Sequence, residues 1–417
     1  MRPSMTTIPR SRDRSREFDI VLWGATGFTG RLVADYLVHH YVGGDTRLRL
    51  ALAGRNKEKL EGIIEEIGAP PLPILIGDSF DGPSLRAIAS RAEVVISTVG
   101  PYAKYGAELV AACVGSGTDY CDLTGETQFV RRMIDQHHEE ATKTGARIVH
   151  CCGYDSIPSD LGTLMVQEAF KQRHGKYASE VKMAAGEMSG AFSGGTFASM
   201  MNIVDELKEN PGLRKILGDP YALNPKGTRG PDKGDQTGVR FDKDLDMWTA
   251  PFLMAAINTR IVRRSNALLG QPWGPDFRYS EVMSTGKGAS GFSRAVAFTA
   301  GLVAFMGAMA FPLTRPLVEK RLPSPGEGPS EAARAKGYFK TRFVALGDGQ
   351  TLRGLVADQR DPGYGSTSVM LSESALCLAL QGTEIRTEGG VLTPASAMGM
   401  PLVERLRKAG MTFDVKG

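Results

Sequence analysis

The stretch that most constrains the fold of this chain is an apolar strand followed directly by a glycine-rich turn and a helix. Residues 19–23 read Asp-Ile-Val-Leu-Trp, the turn has glycines at 24, 27 and 30, and a helical run continues from 31 to 37. Such a turn directs backbone N–H groups and the positive helix end at one spot, which suits a pyrophosphate. An ordinary strand-turn-helix is the alternative, but the flanking strand and helix are the context that a dinucleotide site requires.

The end of the second predicted strand indicates which dinucleotide is bound. Residues 48–53 lead into Gly54-Arg55-Asn56-Lys57, without the acidic residue that usually binds the ribose 2′-hydroxyl of NAD. A guanidinium can stack on adenine or bind a 2′-phosphate through two nitrogens. The sequence therefore favours NADPH. The alternative is that Arg55 and Lys57 are solvated residues at a helix start.

Residues 17–150 are predicted to form an α/β domain, a Rossmann-type doubly wound parallel sheet, because strand and helix patterns alternate along them. Residues 94–99 form a run rich in β-branched residues that ends in Gly100-Pro101. This pattern is typical of a buried parallel strand whose carboxyl end lies beside the first glycine turn. The predicted cofactor contacts are Gly24, Ala25, Thr26, Gly27, Phe28, Thr29, Gly30, Arg55, Asn56, Ser97, Thr98, Val99 and Gly100, with Ser97 and Thr98 on the nicotinamide side.

The remaining chain is long enough for a second domain. The 417 residues are 42% hydrophobic. From about residue 181 the pattern changes to longer strands and a glycine-rich turn at 192–199. This turn either holds a carbonyl or thioester oxygen or makes a tight junction between strand and helix. We predict an α+β substrate domain over 151–360. Residues 361–417 are predicted to be C-terminal helices that pack back on the Rossmann domain.

Charge and cysteine content exclude several classes of function. Residues 1–16 contain five arginines and one aspartate, and the rest of the chain has 45 basic and 45 acidic residues. We interpret residues 1–16 as a disordered basic tail, and the balanced body gives no electrostatic case for nucleic acid. The five cysteines are odd in number and lack metal-ligand spacing, so the sequence predicts no disulfide framework, no metal site and a cytoplasmic location.

Three segments of the second half invite specific hypotheses. Residues 225–246 form a long polar loop. Such a loop is a lid, a recognition loop or a disordered segment. Residues 247–262 look like sheet, and Arg260, Arg263 and Arg264 either dock an acidic partner or lie on an exposed strand face. Residues 295–313 carry no charge. A buried or surface-attached helix is favoured there over a membrane span, because the run is rich in Ala and Gly. Contact of this helix with a lipid-like substrate is a further hypothesis.

Two polar segments at predicted strand ends carry the most chemistry. Residues 118–126 contain Tyr120 and Asp122, and residues 151–160 contain Tyr154, Asp155 and Ser156. Both segments place tyrosine and aspartate in a βα loop, where open α/β sheets bind ligands. Helix capping is the alternative explanation, above all for Ser156.

These motifs together resemble the saccharopine dehydrogenase-like family, and its enoyl reductase subfamily in particular. The resemblance rests on the glycine turn, residues 53–55, 98–102, 119–126 and 153–160, and it extends over nearly the whole chain after residue 16. It implies reduction, in trans, of a double bond left by a polyketide synthase in biosynthesis of complex lipids of the phthiocerol dimycocerosate type. The implied partners are an acyl thioester or polyketide on a carrier domain and the synthase; a peripheral membrane contact and a homodimer are further hypotheses.

Such a reaction needs a hydride donor and an acid. Hydride would pass from NADPH to the β-carbon, and an acid would protonate the α-carbon. The candidate acids are Tyr102, Tyr120 and Tyr154, with Asp122 or Asp155 orienting or re-protonating the tyrosine and Lys104 lowering its pKa. Two rival hypotheses remain: an amino-acid or imine dehydrogenase, and a non-catalytic NADP-binding scaffold at lipid surfaces or at the synthase.

Overall fold

The computed structural model describes residues 16–42, 48–190, 194–311, 313–320, 328–382, 384–385 and 387–416. The chain divides into two compact units. The first contains the described residues up to 124 together with 129–153 and 367–409. The second contains residues 125–128 and 154–366 and the chain from 410 on.

Strands and helices alternate through the first part of the chain, as the sequence pattern predicts. The strands are β1 (Phe18–Trp23), β2 (Leu50–Gly54), β3 (Ile74–Ile76), β4 (Ala92–Ser97), β5 (Asp119–Asp122) and β6 (Arg147–Val149). The helices are α1 (Phe28–Tyr41), α2 (Lys57–Glu66), α3 (Gly82–Ala89), α4 (Tyr102–Tyr105), α5 (Ala107–Ser116) and α6 (Thr127–Thr144).

The middle of the chain has longer strands. Its helices are α7 (Ile157–His174), α8 (Gly194–Glu209), α9 (Leu213–Gly218), α10 (Ala255–Leu268), α11 (Gly288–Ala310), α12 (Arg315–Glu319) and α13 (Glu331–Ala335). Its strands are β7 (Glu180–Ser189), β8 (Arg240–Asp242), β9 (Met247–Ala250), β10 (Arg278–Gly286), β11 (Tyr338–Gly347) and β12 (Gln350–Asp358), followed by a π-helical turn at Pro362–Ser366. The chain closes with α14 (Thr367–Leu380), β13 (Gly390–Leu392), α15 (Pro394–Ala397), α16 (Gly399–Lys408) and β14 (Thr412–Lys416).

The first unit is built on a parallel sheet in the order β13-β6-β5-β4-β1-β2-β3. β1 pairs with β2 on one side and with β4 on the other, so the strand order reverses at this point. Every residue of β1 and β2 is buried, as expected for parallel strands covered on both faces. The predicted doubly wound sheet is confirmed, and its reversal point is where such sheets bind ligands.

Arg16 belongs to this sheet unit and not to a disordered tail. Its guanidinium donates to the carbonyl oxygens of Ala89, Ser90, Ala92 and Ser116 and to the hydroxyl of Thr118. One side chain thereby ties the start of β1 to the turns before β4 and β5. Residues 1–15, the rest of the predicted tail, lie outside the described residues.

The second unit contains a mixed sheet in the order β14-β12-β11-β7-β10-β9-β8. β7 and β10 are parallel, and the other neighbours are antiparallel. This confirms a second domain of α+β type. Its last strand, β14, pairs with β12, so the end of the chain differs from the expectation that all of 361–417 packs on the Rossmann domain. Residues 367–409 alone return to the first unit.

The sheet-like interpretation of residues 247–262 was wrong in its second half. β9 ends at Ala250, and α10 begins at Ala255. Residues 257–266 of this helix are all buried, including Arg260, Arg263 and Arg264. β-Branched residues such as Thr259, Ile261 and Val262 favour a strand locally, but packing on all sides of a central helix overrides that preference.

Residues 288–310 form α11, a helix that is long and apolar enough to span a membrane by length and composition. Only Gly291, Ala295 and Met309 of this helix are buried. The predicted helix is therefore present, but most of it is not buried. Its first turns pack on β9 and β10, where the ring of Phe292 contacts Trp248 at 4.8 Å between centroids.

Candidate functional site

The glycine turn after β1 has close contacts that leave no room for a side chain on Gly24 or Gly30. Gly24 has φ +95° and its amide donates to the carbonyl oxygen of Ala53. A Cβ on Gly30 would lie 2.1 Å from the Gly24 carbonyl oxygen and 2.8 Å from the Thr98 hydroxyl. The first turn of α1 has no acidic residue, and Gly27 has no side chain to cap it. The turn thus presents the positive end of α1 to an anion.

Thr98 holds the end of β4 against this turn. Its amide donates to the Trp23 carbonyl oxygen at 3.0 Å, and its hydroxyl lies 3.1 Å from the Gly24 carbonyl oxygen. Among the predicted cofactor contacts, Ala25 and Ser97 are buried, whereas Thr26 and Gly100 are exposed. The structure therefore places Ala25 and Ser97 behind the surface that a cofactor would touch, and backbone groups would form that surface.

Arg55 and Asn56 follow the carboxyl end of β2 and differ in role. The Asn56 side chain accepts a hydrogen bond from the Lys59 amide at 2.9 Å, so it caps α2. Arg55 is exposed, and no carboxylate among the described residues pairs with it. This guanidinium is available for the 2′-phosphate of NADP.

Asp122 is the centre of a hydrogen-bonded network inside the first unit. Its carboxylate accepts from the Tyr120 hydroxyl at 3.1 Å and from the amides of Thr124 and Cys151, and it lies 2.7 Å from Nδ1 of His150. All of these side chains are buried. Burial, with the Asp122 charge, raises the pKa of Tyr120 well above its usual range. The network gives Tyr120 and Asp122 a structural role at the ends of β5 and β6, and a catalytic role for them stays a prediction.

Tyr102 is also engaged within the first unit. It is 3% exposed, and its hydroxyl donates to the Ser97 carbonyl oxygen at 3.0 Å. Lys104 is exposed on α4, so it does not fold into the interior where Tyr102 and Tyr120 lie. Sequence reasoning missed His150. Its position directly after β6 and before two cysteines is the signal that could have indicated it.

Replacing Tyr102 by Phe tests whether its hydroxyl is structural. We expect the free energy of unfolding to fall by about 1 kcal/mol, because a buried hydrogen bond to Ser97 is lost. NADPH-dependent turnover should stay close to that of the unmodified protein. A loss of the order of 100-fold, the size expected for a catalytic acid, would instead assign Tyr102 to the chemistry. Urea unfolding and steady-state kinetics measure the two quantities.

In the second unit, Tyr154 and Asp155 precede α7. The Tyr154 ring packs on Phe339 with 4.8 Å between centroids, and burial raises its pKa. Oδ2 of Asp155 lies beside Gly125, where an added Cβ would be 3.3 Å away from it and 3.7 Å from the Met254 methyl. No cation or hydrogen-bond donor is found for this carboxylate among the described residues. Desolvation raises the pKa of Asp155 to about 7.

Ser156 starts a buried chain of hydrogen bonds. It occupies the N-cap position of α7 without capping it. Its hydroxyl donates to Asn258 Oδ1 at 2.9 Å, Asn258 donates to Glu281 at 3.0 Å, and Tyr279 donates to Glu281 at 2.8 Å. Burial raises the pKa of Glu281 to about 7. The capping explanation for Ser156 is therefore wrong. The hydrogen bonds instead attach Ser156, the neighbour of Asp155, to α10 and β10.

The arginines of α10 do not form a docking surface. Arg260 pairs with Asp235 and Arg263 with Asp232 at 2.8 and 2.7 Å, so both face the polar loop of 225–246. Arg264 donates to the Leu223 carbonyl oxygen. The helix thereby holds the long loop in place, and the acidic-partner and exposed-strand hypotheses were both wrong.

The glycine-rich turn at 192–199 is described only from Gly194. Residues 191–193 lie outside the described residues. The Gly194 amide, at the start of α8, donates to the Tyr364 hydroxyl at 3.2 Å. Tyr364 therefore occupies a position where the sequence suggested a substrate carbonyl oxygen.

Comparison with known proteins identifies relatives over nearly the full length. A family model described as the saccharopine dehydrogenase NADP binding domain matches residues 20–149. The chain is 44% identical over 414 residues to a Mycobacterium tuberculosis H37Rv protein that is provisionally named a trans-acting enoyl reductase. The alignment covers 96% of this chain and 97% of that protein. It is 41% identical over 422 residues to the trans-acting enoyl reductase of the same strain, covering 95% and 97%.

A solved structure shares the fold. Apo saccharopine dehydrogenase (L-Glu forming) from Saccharomyces cerevisiae aligns with a TM-score of 0.52 and 15% identity, covering 95% of this chain and 99% of that one. At this identity the likeness concerns the fold alone. The family resemblance deduced from the motifs is thereby confirmed on both sequence and fold.

Proposed function

Because the chain belongs to the family of mycobacterial trans-acting enoyl reductases, with a saccharopine dehydrogenase-type NADP-binding domain, we propose that it reduces a carbon-carbon double bond of a carrier-bound acyl or polyketide thioester. NADPH is the proposed reductant. The observation that supports NADPH as the reductant is the closed glycine turn together with an exposed Arg55, at the end of the neighbouring strand, that has no carboxylate partner among the described residues. A complex lipid of the phthiocerol dimycocerosate type is the proposed end product.

The proposed reaction needs one hydride and one proton. NADPH, held by the glycine turn and Arg55, would supply the hydride that adds to the β-carbon, and the electrons of the double bond would move towards the thioester oxygen. A proton then adds to the α-carbon, and NADP⁺ and the saturated thioester are released. The protein must bind the cofactor, stabilise the enolate charge and hold the proton.

Asp155 is the proposed proton donor. Of the five candidates from the sequence, Tyr102, Tyr120 and Asp122 are buried and hydrogen-bonded within the first unit. Tyr154 has its pKa raised by burial, which makes it a weak donor near neutral pH. Asp155 has a pKa of about 7, close to the value at which a general acid is most effective.

The choice of NADPH is tested at Arg55. Arg55→Ala should raise the Kd for NADPH about tenfold or more, because a charge-assisted contact with the 2′-phosphate is lost. The Kd for NADH should stay unchanged. Lys57→Ala is the matched control, since Lys57 is also exposed but faces Glu61 at 3.5 Å. If Arg55→Ala weakens both nucleotides equally, or neither, Arg55 does not select NADPH.

The activity itself is tested by following NADPH consumption with a pantetheine-linked or carrier-bound enoyl thioester. NADH, saccharopine and lysine-type substrates are run alongside. Turnover of the enoyl thioester supports the proposal, and turnover of amino or keto acids supports an imine dehydrogenase instead. Cofactor binding without turnover, even with a polyketide synthase added, would leave the scaffold hypothesis.

The location, partner and oligomeric state of the protein are also proposed. We place the protein in the cytoplasm, on the grounds that all five cysteines are buried free thiols. Its proposed partner is a polyketide synthase that acts with it in trans. A homodimer is a further hypothesis, to be tested by analytical ultracentrifugation of the purified protein.

A further inference from the structure

Glu281 is a buried carboxyl group to which the proposed reaction assigns no step. It lies in β10 and is 2% exposed, and no cationic side chain among the described residues forms an ion pair with it. Its oxygens accept hydrogen bonds from Asn258 at 3.0 Å, from Tyr279 at 2.8 Å and from Ser159. A buried carboxyl group without a cation costs stability unless such donors compensate for it. Its partners therefore indicate what Glu281 holds in place.

Two of these hydrogen bonds lead to the start of α7. Ser159 lies in the first turn of this helix, and Ser156 occupies its N-cap position. Asn258 joins Ser156 to Glu281, because its Oδ1 accepts from the Ser156 hydroxyl at 2.9 Å while its amide nitrogen donates to Glu281. An oxygen that accepts from Asn258 turns the amide nitrogen towards itself and leaves the amide oxygen for Ser156. Glu281 thereby fixes the orientation of Asn258 and, through it, the Ser156 hydroxyl.

Asp155 lies between two anchored neighbours in the chain. On one side Tyr154 is held on β11, where its ring packs on Phe339 and its hydroxyl is hydrogen-bonded to Thr341. On the other side Ser156 is held by the hydrogen bonds just described. Asp155 has no hydrogen-bond donor of its own among the described residues, and desolvation is the cause of its raised pKa. The place of its carboxyl group therefore depends on how firmly its two neighbours are fixed.

We infer that Glu281 is a positioning residue for the proposed proton donor. Acting through Asn258 and Ser156, it holds the backbone at the start of α7, so that the carboxyl group of Asp155 stays out of water beside Gly125. The inference rests on the proposed function, in which Asp155 supplies the proton. Glu281 needs no contact with substrate or cofactor for this role.

The first test is a double-mutant cycle on turnover. Glu281→Met removes the carboxyl group and keeps the length of the side chain. It should lower the turnover number about tenfold through misplacement of Asp155, with the Kd for NADPH and the KM for the enoyl thioester unchanged. Ser156→Ala interrupts the same hydrogen bonds and should have a similar effect. The double variant should be no slower than either single variant, because both substitutions break one connection.

Two results of this cycle would overturn the inference. Losses that multiply to about 100-fold in the double variant would show that Glu281 and Ser156 act independently. Glu281→Gln should retain most of the turnover, because its side-chain oxygen can still accept from Asn258. A loss in Glu281→Gln as large as in Glu281→Met would exclude positioning through that hydrogen bond.

A second measurement needs no turnover and therefore separates the inference from the proposed function. Because the pKa of Asp155 is raised to about 7 from 3.8, Asp155→Asn should raise the melting temperature at pH 8. With Glu281→Met also present, water reaches Asp155 and its pKa falls, so this gain should shrink. The same gain with and without Glu281→Met would refute the inference. A reduced gain in a protein that reduces no enoyl thioester would refute the function and leave Glu281 as the residue that positions Asp155.

Gln167→Met is the matched control for loss of a buried polar group. Gln167 lies in α7 and is fully buried, and its side chain makes two hydrogen bonds with the backbone of Ala178 at 3.0 and 2.8 Å. Gln167→Met should lower the melting temperature, but turnover and the gain from Asp155→Asn should not change. If it acts like Glu281→Met, general destabilisation explains both and the inference is wrong. Ser156→Ala removes a single hydroxyl group and serves for both measurements if Glu281→Met does not fold.

Discussion

Gly30→Ala is expected to abolish useful NADPH binding. The added methyl group would lie 2.1 Å from the Gly24 carbonyl oxygen, so the turn must move away from the start of α1. A displacement of this size at a phosphate-binding turn should weaken NADPH binding about 100-fold or more. We also expect a loss of about 1–3 kcal/mol in the free energy of unfolding, as for other overpacked interior positions. Isothermal titration with NADPH and urea unfolding measure the two effects.

Gly62→Ala is the control for this substitution. Gly62 lies in α2, and an added Cβ there would meet nothing within 4 Å. Because alanine is the better helix former, this variant should gain up to about 1 kcal/mol and bind NADPH normally. If Gly30→Ala behaved like Gly62→Ala, the close approach of the turn to α1 and its role in cofactor binding would both be refuted.

Asp155→Asn is expected to lower the turnover number at least about 100-fold with little change in NADPH affinity, because the proton donor is lost. The pH profile provides the sharper readout. Since burial raises the pKa of Asp155 to about 7, the carboxyl group is protonated and competent below pH 7. Turnover of the unmodified protein should therefore fall as the pH rises through about 7. The residual rate of Asp155→Asn should lack this step.

Asp155→Asn should raise the stability of the folded protein at high pH, although it lowers the turnover number. The folded protein holds the Asp155 proton up to about pH 7, whereas the unfolded chain releases it near the ordinary value of 3.8. The free energy of unfolding of the native protein therefore falls as the pH rises between these values and stays low above them. Asp155→Asn removes this loss, so its melting temperature at pH 8 should exceed that of the unmodified protein. Equal melting temperatures at pH 8, with unchanged turnover, would show that the pKa of Asp155 is not raised in the folded protein and that Asp155 is not catalytic.

Local sequence patterns were sufficient for the cofactor half. The glycines at 24, 27 and 30 and the missing acidic residue after β2 predicted the turn and the position of Arg55 correctly, because both depend on neighbours in the chain. The alternation of strands and helices likewise predicted the parallel sheet. These features depend on local backbone conformation, so the residues that determine them are neighbours in the sequence.

The substrate half depended on contacts between distant residues. α10 resembles a strand by its β-branched residues, yet packing on all sides makes it a helix, and Asp235 and Asp232 pair with its buried Arg260 and Arg263. Ser156 resembles a helix cap, yet its hydroxyl binds Asn258, 102 positions away. No local pattern encodes such pairings.

The sequence by itself determined the family, the dinucleotide fold and the cofactor turn, since each is defined by residues within a few positions of one another. Only the tertiary structure decided which candidate residues are free to react. Burial and hydrogen bonds engage Tyr102, Tyr120 and Asp122, whereas desolvation by burial raises the pKa of Asp155. Exposure of most of α11 was decided in the same way, because it depends on what the rest of the unit leaves uncovered.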